Sequence, residues 1–305
     1  MFGEIKRIAV CFSGQARTWR TAKDNILKYF DLSEQGCQVD FFIHTWDINQ
    51  YRGKNDLVWI ARTNQAVEDT EKEELEKVFN PKKIELEQYV ESEYKTLWEA
   101  LLYSFMKSIW LKKQYEVEND FTYDLVIRAR LDINYPQEGV CNTGLRLDKF
   151  ATHPVQHLTA YSTSPTIHRF PQEFNYLNFD DVFFYSNSPT MDIIANCCRW
   201  YRSIILKHLL THSKKKFVPN SAFWYGPGTI LYRYLIEKGI HPQGSRAIQY
   251  YVVRKAVEDC KLHSIHDWKD ICEFSREWYN SILNNESETS VLSKYIKKDN
   301  SKRII

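Results

Sequence analysis

The side chains with the clearest chemical potential lie in residues 123–134, Tyr-Asp-Leu-Val-Ile-Arg-Ala-Arg-Leu-Asp-Ile-Asn. An apolar run leads there into four polar side chains, Arg128, Arg130, Asp132 and Asn134. A guanidinium group meets phosphate oxygens with a planar fork, and a carboxylate supplies the hard oxygen ligands that divalent cations prefer. The stretch predicts a site that handles a diphosphate. An ion pair that only stabilises the end of a strand is the alternative interpretation.

The position of this cluster follows from the strand that precedes it. Leu125, Val126 and Ile127 form a short apolar run, and the alternation that follows is typical of a strand with one cationic face. Ligands of open α/β sheets bind beyond the carboxyl ends of the strands. We therefore expect the polar residues from Arg130 to Asn134 at the ligand-binding edge of a sheet.

A second candidate lies near the start of the chain. Residues 8–12 read as a buried strand, Ser13-Gly14-Gln15-Ala16-Arg17 as a turn, and residues 19–30 as a helix. Gly14 permits a tight bend, and the N–H groups that open a helix favour an anion. The Gly-Lys-Ser/Thr ending of a Walker loop is missing, so a purely structural turn is the alternative.

Two further strand ends carry polar groups. Residues 39–43 read as a strand followed by His44, which either bonds a ligand or packs beside Trp46. Residues 179–185 read as a strand that begins with the paired carboxylates Asp180 and Asp181.

The order of elements indicates an α/β protein. Strands alternate with helices over the first half, where residues 97–115 form a clear helix. Residues 135–178 are rich in loop signals, residues 250–282 look helical, and residues 283–305 look frayed. We predict a first domain over residues 1–249 and a helical C-terminal extension over residues 250–305.

Composition limits the classes of partner. The 41 basic and 39 acidic residues give a net charge of +2, which argues against a nucleic-acid binder. The seven cysteines form no Cys-x-x-Cys pair, and no stretch approaches the ~20 apolar residues of a membrane span. These features predict a soluble, cytoplasmic protein. The basic residues Arg199, Arg202 and 214–216 form either a solvated face or a peripheral contact with an anionic membrane.

Taken together, these motifs resemble nucleotide-sugar-dependent glycosyltransferases of bacteria, phages and large DNA viruses. The resemblance covers roughly residues 5–190 and rests on the order and spacing of four loose motifs. The motifs are Ser13-Gly14-Gln15-x-Arg17, Asp40-Phe-Phe-Ile-His44-x-Trp46, Tyr123-Asp-Leu-Val-Ile-Arg-x-Arg-x-Asp132, and Asp180-Asp181 before an apolar strand. It implies a GT-A-like fold, a Rossmann-type mixed sheet flanked by helices.

The resemblance also implies roles for particular residues. The donor, a nucleotide sugar, is expected at Ser13, Gly14 and Arg17, with Arg128 or Arg130 near the diphosphate. His44 is a further candidate for substrate binding, from its place at the end of a strand. Asp132 stands where the family has its Asp-x-Asp metal motif, so Mn²⁺ or Mg²⁺ is expected there. The motif ends here in Asn134, whose neutral carbonyl supplies no charge, which puts the dependence on a metal in question.

Catalysis is expected at the paired carboxylates. By the resemblance, Asp180 or Asp181 lies at the acceptor, a glycan or a lipid-linked sugar, and takes a proton from its hydroxyl. Adjacent residues of a strand point to opposite faces, so we expect Asp181 alone to face the site. A role in capping a turn is the alternative for both.

Overall fold

The structure is a computed structural model, and it describes most of the first 244 residues of the chain. The described residues are 5–52, 62–68, 70–90, 93–94, 97–135, 157–162, 166–169, 175–211, 227–244 and 251–252. The chain divides into two compact units. The first comprises residues 1–51, 64–217 and 225–255, and the second comprises residues 52–63, 218–224 and 256–305. The predicted C-terminal extension lies almost wholly outside the described residues, so the boundary at residue 250 stays a prediction.

The chain forms a mixed α/β fold. Its strands are β1 (Arg7–Ser13), β2 (Gln38–Trp46), β3 (Ile48–Arg52), β4 (Arg62–Ala66), β5 (Lys83–Glu87), β6 (Leu125–Ala129), β7 (Ile133–Asn134), β8 (Thr159–Ser162), β9 (Thr166–Arg169), β10 (Asn175–Asn178), β11 (Phe184–Ser186), β12 (His241–Gly244) and β13 (Tyr251–Val252). Its helices are α1 (Trp19–Tyr29), α2 (Glu71–Phe79), α3 (Leu97–Asn119), α4 (Ser188–Ala195), α5 (Cys197–Thr211) and α6 (Pro227–Glu237).

Seven strands form the main sheet, in the order β12-β8-β11-β6-β1-β2-β5. Strands β5, β2, β1 and β6 are parallel, whereas β11 runs antiparallel to both β6 and β8. The order of the four parallel strands reverses between β1 and β6, as in doubly wound sheets, where ligands bind at this switch point. The prediction of a mixed α/β sheet flanked by helices is confirmed.

The two faces of strands β1 and β6 pack against different elements. Alternate apolar residues of both strands, such as Val10, Phe12 and Ile127, belong to a buried cluster that includes Trp19 and Ile26 of α1. This cluster follows from the period of two along a strand and the helical spacing of apolar residues along α1. Helix α3 contacts β1, β2 and β5.

Four expectations about elements are corrected. Residues 251 and 252, expected to begin a helix, form strand β13, which pairs with β7. Residues 135–178 are not only loops, because β8 lies within them and joins the main sheet. The strand expected over residues 179–185 begins only at Phe184, because residues 181–183 form a bend. Strand β2 extends through Trp46, so His44 lies within the strand and not beyond its end.

Candidate functional site

The topology brings three segments to one edge of the sheet. Ser13 ends β1, and Arg130 follows the end of the parallel neighbour β6. Because β11 runs antiparallel to β6 and pairs Phe184 with Arg128, the residues before β11 reach the same edge. The predicted residues of the first turn, of 128–132 and of 180–181 therefore meet at the switch point, although they are far apart in the sequence.

Asp132 lies between two arginines at this edge. Its Oδ1 accepts a hydrogen bond from Arg130 Nε at 2.7 Å, and its Oδ2 lies 3.2 Å from a terminal nitrogen of Arg17. The Asp132 side chain is 1% exposed, against 26% for Arg17 and 14% for Arg130. One carboxylate between two guanidinium groups leaves a net positive charge, which suits an anionic ligand.

Arg128 is buried and joins the segments of the site. Its Nε donates to the Oγ of Ser13 at 3.1 Å, and a terminal nitrogen donates to the backbone carbonyl of Asp181. Arg128 therefore connects the end of β1 to the bend before β11 through hydrogen bonds. The residue is 1% exposed, and its predicted contact with substrate stays a prediction.

The paired carboxylates have different surroundings. Asp180 Oδ1 accepts a hydrogen bond from the backbone N–H of Val182 at 2.9 Å, which is a turn-capping contact. Asp181 is partly buried, and desolvation raises the pKa of its carboxyl group, against the opposing charge of Arg128. The two residues lie in or next to a bend, so the alternation of a strand does not decide which one faces the site. A carboxyl group with a raised pKa is a candidate proton acceptor, so the assignment of this role to Asp181 stays a prediction.

The first turn is bonded to helix α3. Gly14 has a φ of +106°, which L-residues rarely adopt, and its N–H donates to Ser104 Oγ at 2.8 Å. Ser104 Oγ lies 2.8 Å from His44 Nδ1, and His44 Nε2 lies 3.0 Å from Glu87 Oε2. Both ring nitrogens of His44 therefore have partners within the protein, and the residue is 0% exposed.

Glu87 ends this chain of hydrogen bonds. The hydrogen bond from His44, together with one from the hydroxyl of Tyr103, lowers the pKa of Glu87 to about 2, against the effect of burial. Glu87 is therefore ionised at neutral pH.

No protein-family model matches this sequence, and no curated protein matches it either. The function is therefore inferred from the geometry of the site.

The expected metal at Asp132 and Asn134 stays a prediction. Both oxygens of Asp132 contact guanidinium groups, so a cation there would have to displace Arg17 and Arg130. The described donors fit an arginine-lined anion site better than a metal centre. Asn134 pairs with Tyr251 through β7, and its side chain lies outside the described atoms.

Sequence reasoning missed Ser104 and Glu87. Ser104 lies beside Phe105 on the buried side of α3, where a lone serine gives little signal. A usable signal was the pair Ser104 and Ser108 at helical spacing within an apolar helix, since buried hydroxyls need partners. To predict that Glu87 lies beside His44, one must know the register between β2 and β5, and the sequence alone does not give it.

We expect Gly14→Ala to lower the free energy of unfolding by about 1–2 kcal/mol, the cost of a left-handed conformation for an L-residue. No atom lies within 4 Å of an added Cβ, so the cost is conformational and not steric. Chemical denaturation measures it. Gly239→Ala, also at positive φ with open space, is the matched control and should cost a similar amount without affecting ligand binding. A Gly14→Ala variant as stable as the wild type would contradict the turn conformation.

Proposed function

We propose that the protein is a glycosyltransferase that moves a sugar from a nucleotide-diphosphate donor to a hydroxyl of a glycan or lipid-linked acceptor. The observation that carries the proposal is the convergence of Arg17, Arg130 and Asp181 at the switch point of the sheet, beside the Gly14 turn. Cationic groups and a carboxylate with a raised pKa are what this reaction requires.

The fold supports the same proposal. The mixed sheet, with β11 antiparallel among parallel strands, agrees with a GT-A-like architecture. The turn at Gly14 precedes α1, and the N–H groups of a helix N-terminus favour the phosphates of a donor. Within the described residues no helix is both long and apolar enough to cross a lipid bilayer.

In a direct displacement, the protein accepts a proton, stabilises the charge of the leaving group and positions the reacting segments. Asp181 takes the proton of the acceptor hydroxyl as its oxygen bonds to the anomeric carbon. The bond from that carbon to the diphosphate oxygen breaks, and the electron pair leaves with the diphosphate. Arg17 and Arg130 stabilise the charge that develops on the leaving group. Arg128 and Ser13 hold the segments in position.

One observation favours a second candidate, a nucleotide- or carbohydrate-binding protein that keeps the fold without the chemistry. Asp132 is neutralised by Arg17 and Arg130, so its carboxylate does not stand ready for a metal. Turnover of the donor separates the two candidates, because a binding protein releases no nucleoside diphosphate.

The test is the melting temperature of the full chain with UDP, GDP, CDP and dTDP sugars, each with and without Mn²⁺. A ligand that binds only the native state raises the melting temperature by mass action. We expect one nucleotide class to do so and Arg130→Met to weaken its binding by about tenfold or more, because a charge-assisted contact to phosphate is lost. No shift from any donor would remove the nucleotide assignment.

Two variants sharpen this test. Arg20→Met is the control, since Arg20 lies close to Arg17 in the sequence, in the first turn of α1, and its guanidinium pairs with Glu71 and Glu74 of α2. Asp132→Asn separates arginine binding from metal binding. If the arginines bind the donor, Asp132→Asn keeps the rise in melting temperature that the donor causes. If Asp132 holds a metal, a rise that depends on Mn²⁺ disappears in this variant.

A further inference from the structure

We propose that His44 of β2 and Glu85 and Glu87 of the edge strand β5 form a Zn²⁺ site, with ligands other than the residues of the neighbouring arginine site. This inference does not depend on the proposed function. It rests on the positions of the three side chains and on the groups that orient them.

The three side chains lie on one face of the sheet. His44 pairs with Glu85 across the parallel strands β2 and β5, and Glu87 lies two residues further along β5, on the same face. One potential ligand atom from each residue lies within 4.8 Å of the other two. Tetrahedral Zn²⁺ at about 2.1 Å from its ligands places them about 3.4 Å apart, so only a small inward movement is needed.

The groups around the ligands are those expected next to a metal. A metal-bound histidine usually donates its other ring N–H to a neighbouring acceptor, and Ser104 Oγ lies 2.8 Å from His44 Nδ1. The hydroxyl of Tyr103 donates to Glu87 Oε1 at 3.0 Å, so the other carboxylate oxygen, Oε2, is the one that lies next to His44 Nε2. Glu85 and Glu87 have side chains 36% and 27% exposed, so an ion can reach them from solvent.

The groups around His44 can form hydrogen bonds with either neutral tautomer of its ring. Without an ion, Nε2–H donates to Glu87, and the Ser104 hydroxyl donates to Nδ1. With an ion on Nε2, the proton moves to Nδ1, which donates to Ser104 Oγ. The Ser104 hydroxyl then has the backbone carbonyl of His44 as its acceptor, at 3.3 Å. Binding of an ion therefore leaves no buried group without a partner in this chain of bonds.

The ligand set selects the type of ion. Imidazole favours zinc and related transition ions, whereas Mg²⁺ and Ca²⁺ prefer oxygen ligands. Lys107 competes with an ion for the two carboxylates, because its Nζ lies 2.7 Å from Glu85 and 3.5 Å from Glu87. An ion must displace this ammonium group, so removal of Lys107 should strengthen binding.

The experiment is a titration of the purified full chain with Zn²⁺ followed by calorimetry. We expect Glu85→Gln to weaken binding at one site by about tenfold or more, because the negative charge of one ligand is lost. Lys107→Met should tighten it by about tenfold or more, because a like charge is removed from the site. Glu118→Gln is the matched control, because Glu118 forms a similar ion pair between α3 and β5, with Lys83 at 2.7 Å.

A second measurement follows the ring of His44 directly. Nitrogen-15 NMR should show its protonated nitrogen changing from Nε2 to Nδ1 when Zn²⁺ binds, with the signal assigned by its loss in His44→Gln. The proposal is overturned if Glu85→Gln and Glu118→Gln bind Zn²⁺ equally, or if the ring signal does not change. Both readouts use the metal alone, so they remain informative if no nucleotide sugar binds.

Discussion

Asp181→Asn is expected to lower the rate of sugar transfer by about 10²–10⁴-fold, the usual contribution of a positioned general base. Asparagine has nearly the same shape but cannot accept the proton of the acceptor hydroxyl at neutral pH. The rate is measured as release of nucleoside diphosphate from the donor that raises the melting temperature.

The same substitution should raise the melting temperature at pH 7. Burial raises the pKa of Asp181 in the native state above that of the unfolded chain, so its ionised form costs stability at neutral pH. As the pH falls through the native pKa, the wild type binds its proton and regains this stability. The advantage of Asp181→Asn should therefore be largest at neutral pH and shrink on acidification, in melting curves recorded across that range.

Asp180→Asn is the control for both measurements. Its side-chain oxygen can still accept the hydrogen bond from Val182 N–H, so we expect a rate within a few-fold of the wild type. If Asp181→Asn transfers sugar at the wild-type rate, Asp181 is not the base. If Asp180→Asn lowers the rate equally, the bend as a whole matters and not one carboxylate.

Much of the sheet could be predicted from the sequence because its parallel strands are apolar runs between clear turn signals. The run from Ile8 to Phe12 and the run from Leu125 to Ile127 are both strands, and residues 97–115 lie within α3. Strand β8 could not be found in this way. Its four residues, Thr-Ala-Tyr-Ser, have no distinctive pattern and are buried only because β11 and β12 flank them.

The candidate site was predictable in its residue types but not in its contacts. The sequence places Arg130 and Asp132 beyond a strand end, and the structure places them at the switch point. It does not tell that Arg17 reaches Asp132, because that contact joins residues 115 positions apart. Nor does it tell that Arg128 is buried, since an arginine near the end of a strand is more often exposed.

The lysines of α3 show the same limit. Clustered near the C-terminal end of a helix, they are readily explained by the helix dipole. Lys112, however, is 0% exposed and forms bonds to Glu116 Oε2 at 3.0 Å, Asp192 Oδ1 at 2.6 Å and Ser188 Oγ at 2.5 Å. This buried network joins α3 to α4 and depends on tertiary packing.

Lys112→Met is therefore expected to lower the free energy of unfolding by about 3–5 kcal/mol, the usual cost of removing one partner of a buried ion pair. The substitution leaves the carboxylate of Glu116, which is 2% exposed, without its nearest cation. Chemical denaturation measures the change. Lys113→Met is the matched control: Lys113 is 50% exposed and approaches the same carboxylates, so its loss should cost at most about 1 kcal/mol.

The double variant Lys112→Met/Glu116→Gln tests the cause. Glutamine removes the uncompensated charge but keeps an oxygen for the N–H of Tyr123, which donates to Glu116 Oε1 at 2.9 Å. It should therefore recover part of the lost stability. Equal losses for Lys112→Met and Lys113→Met would contradict the role of the buried network.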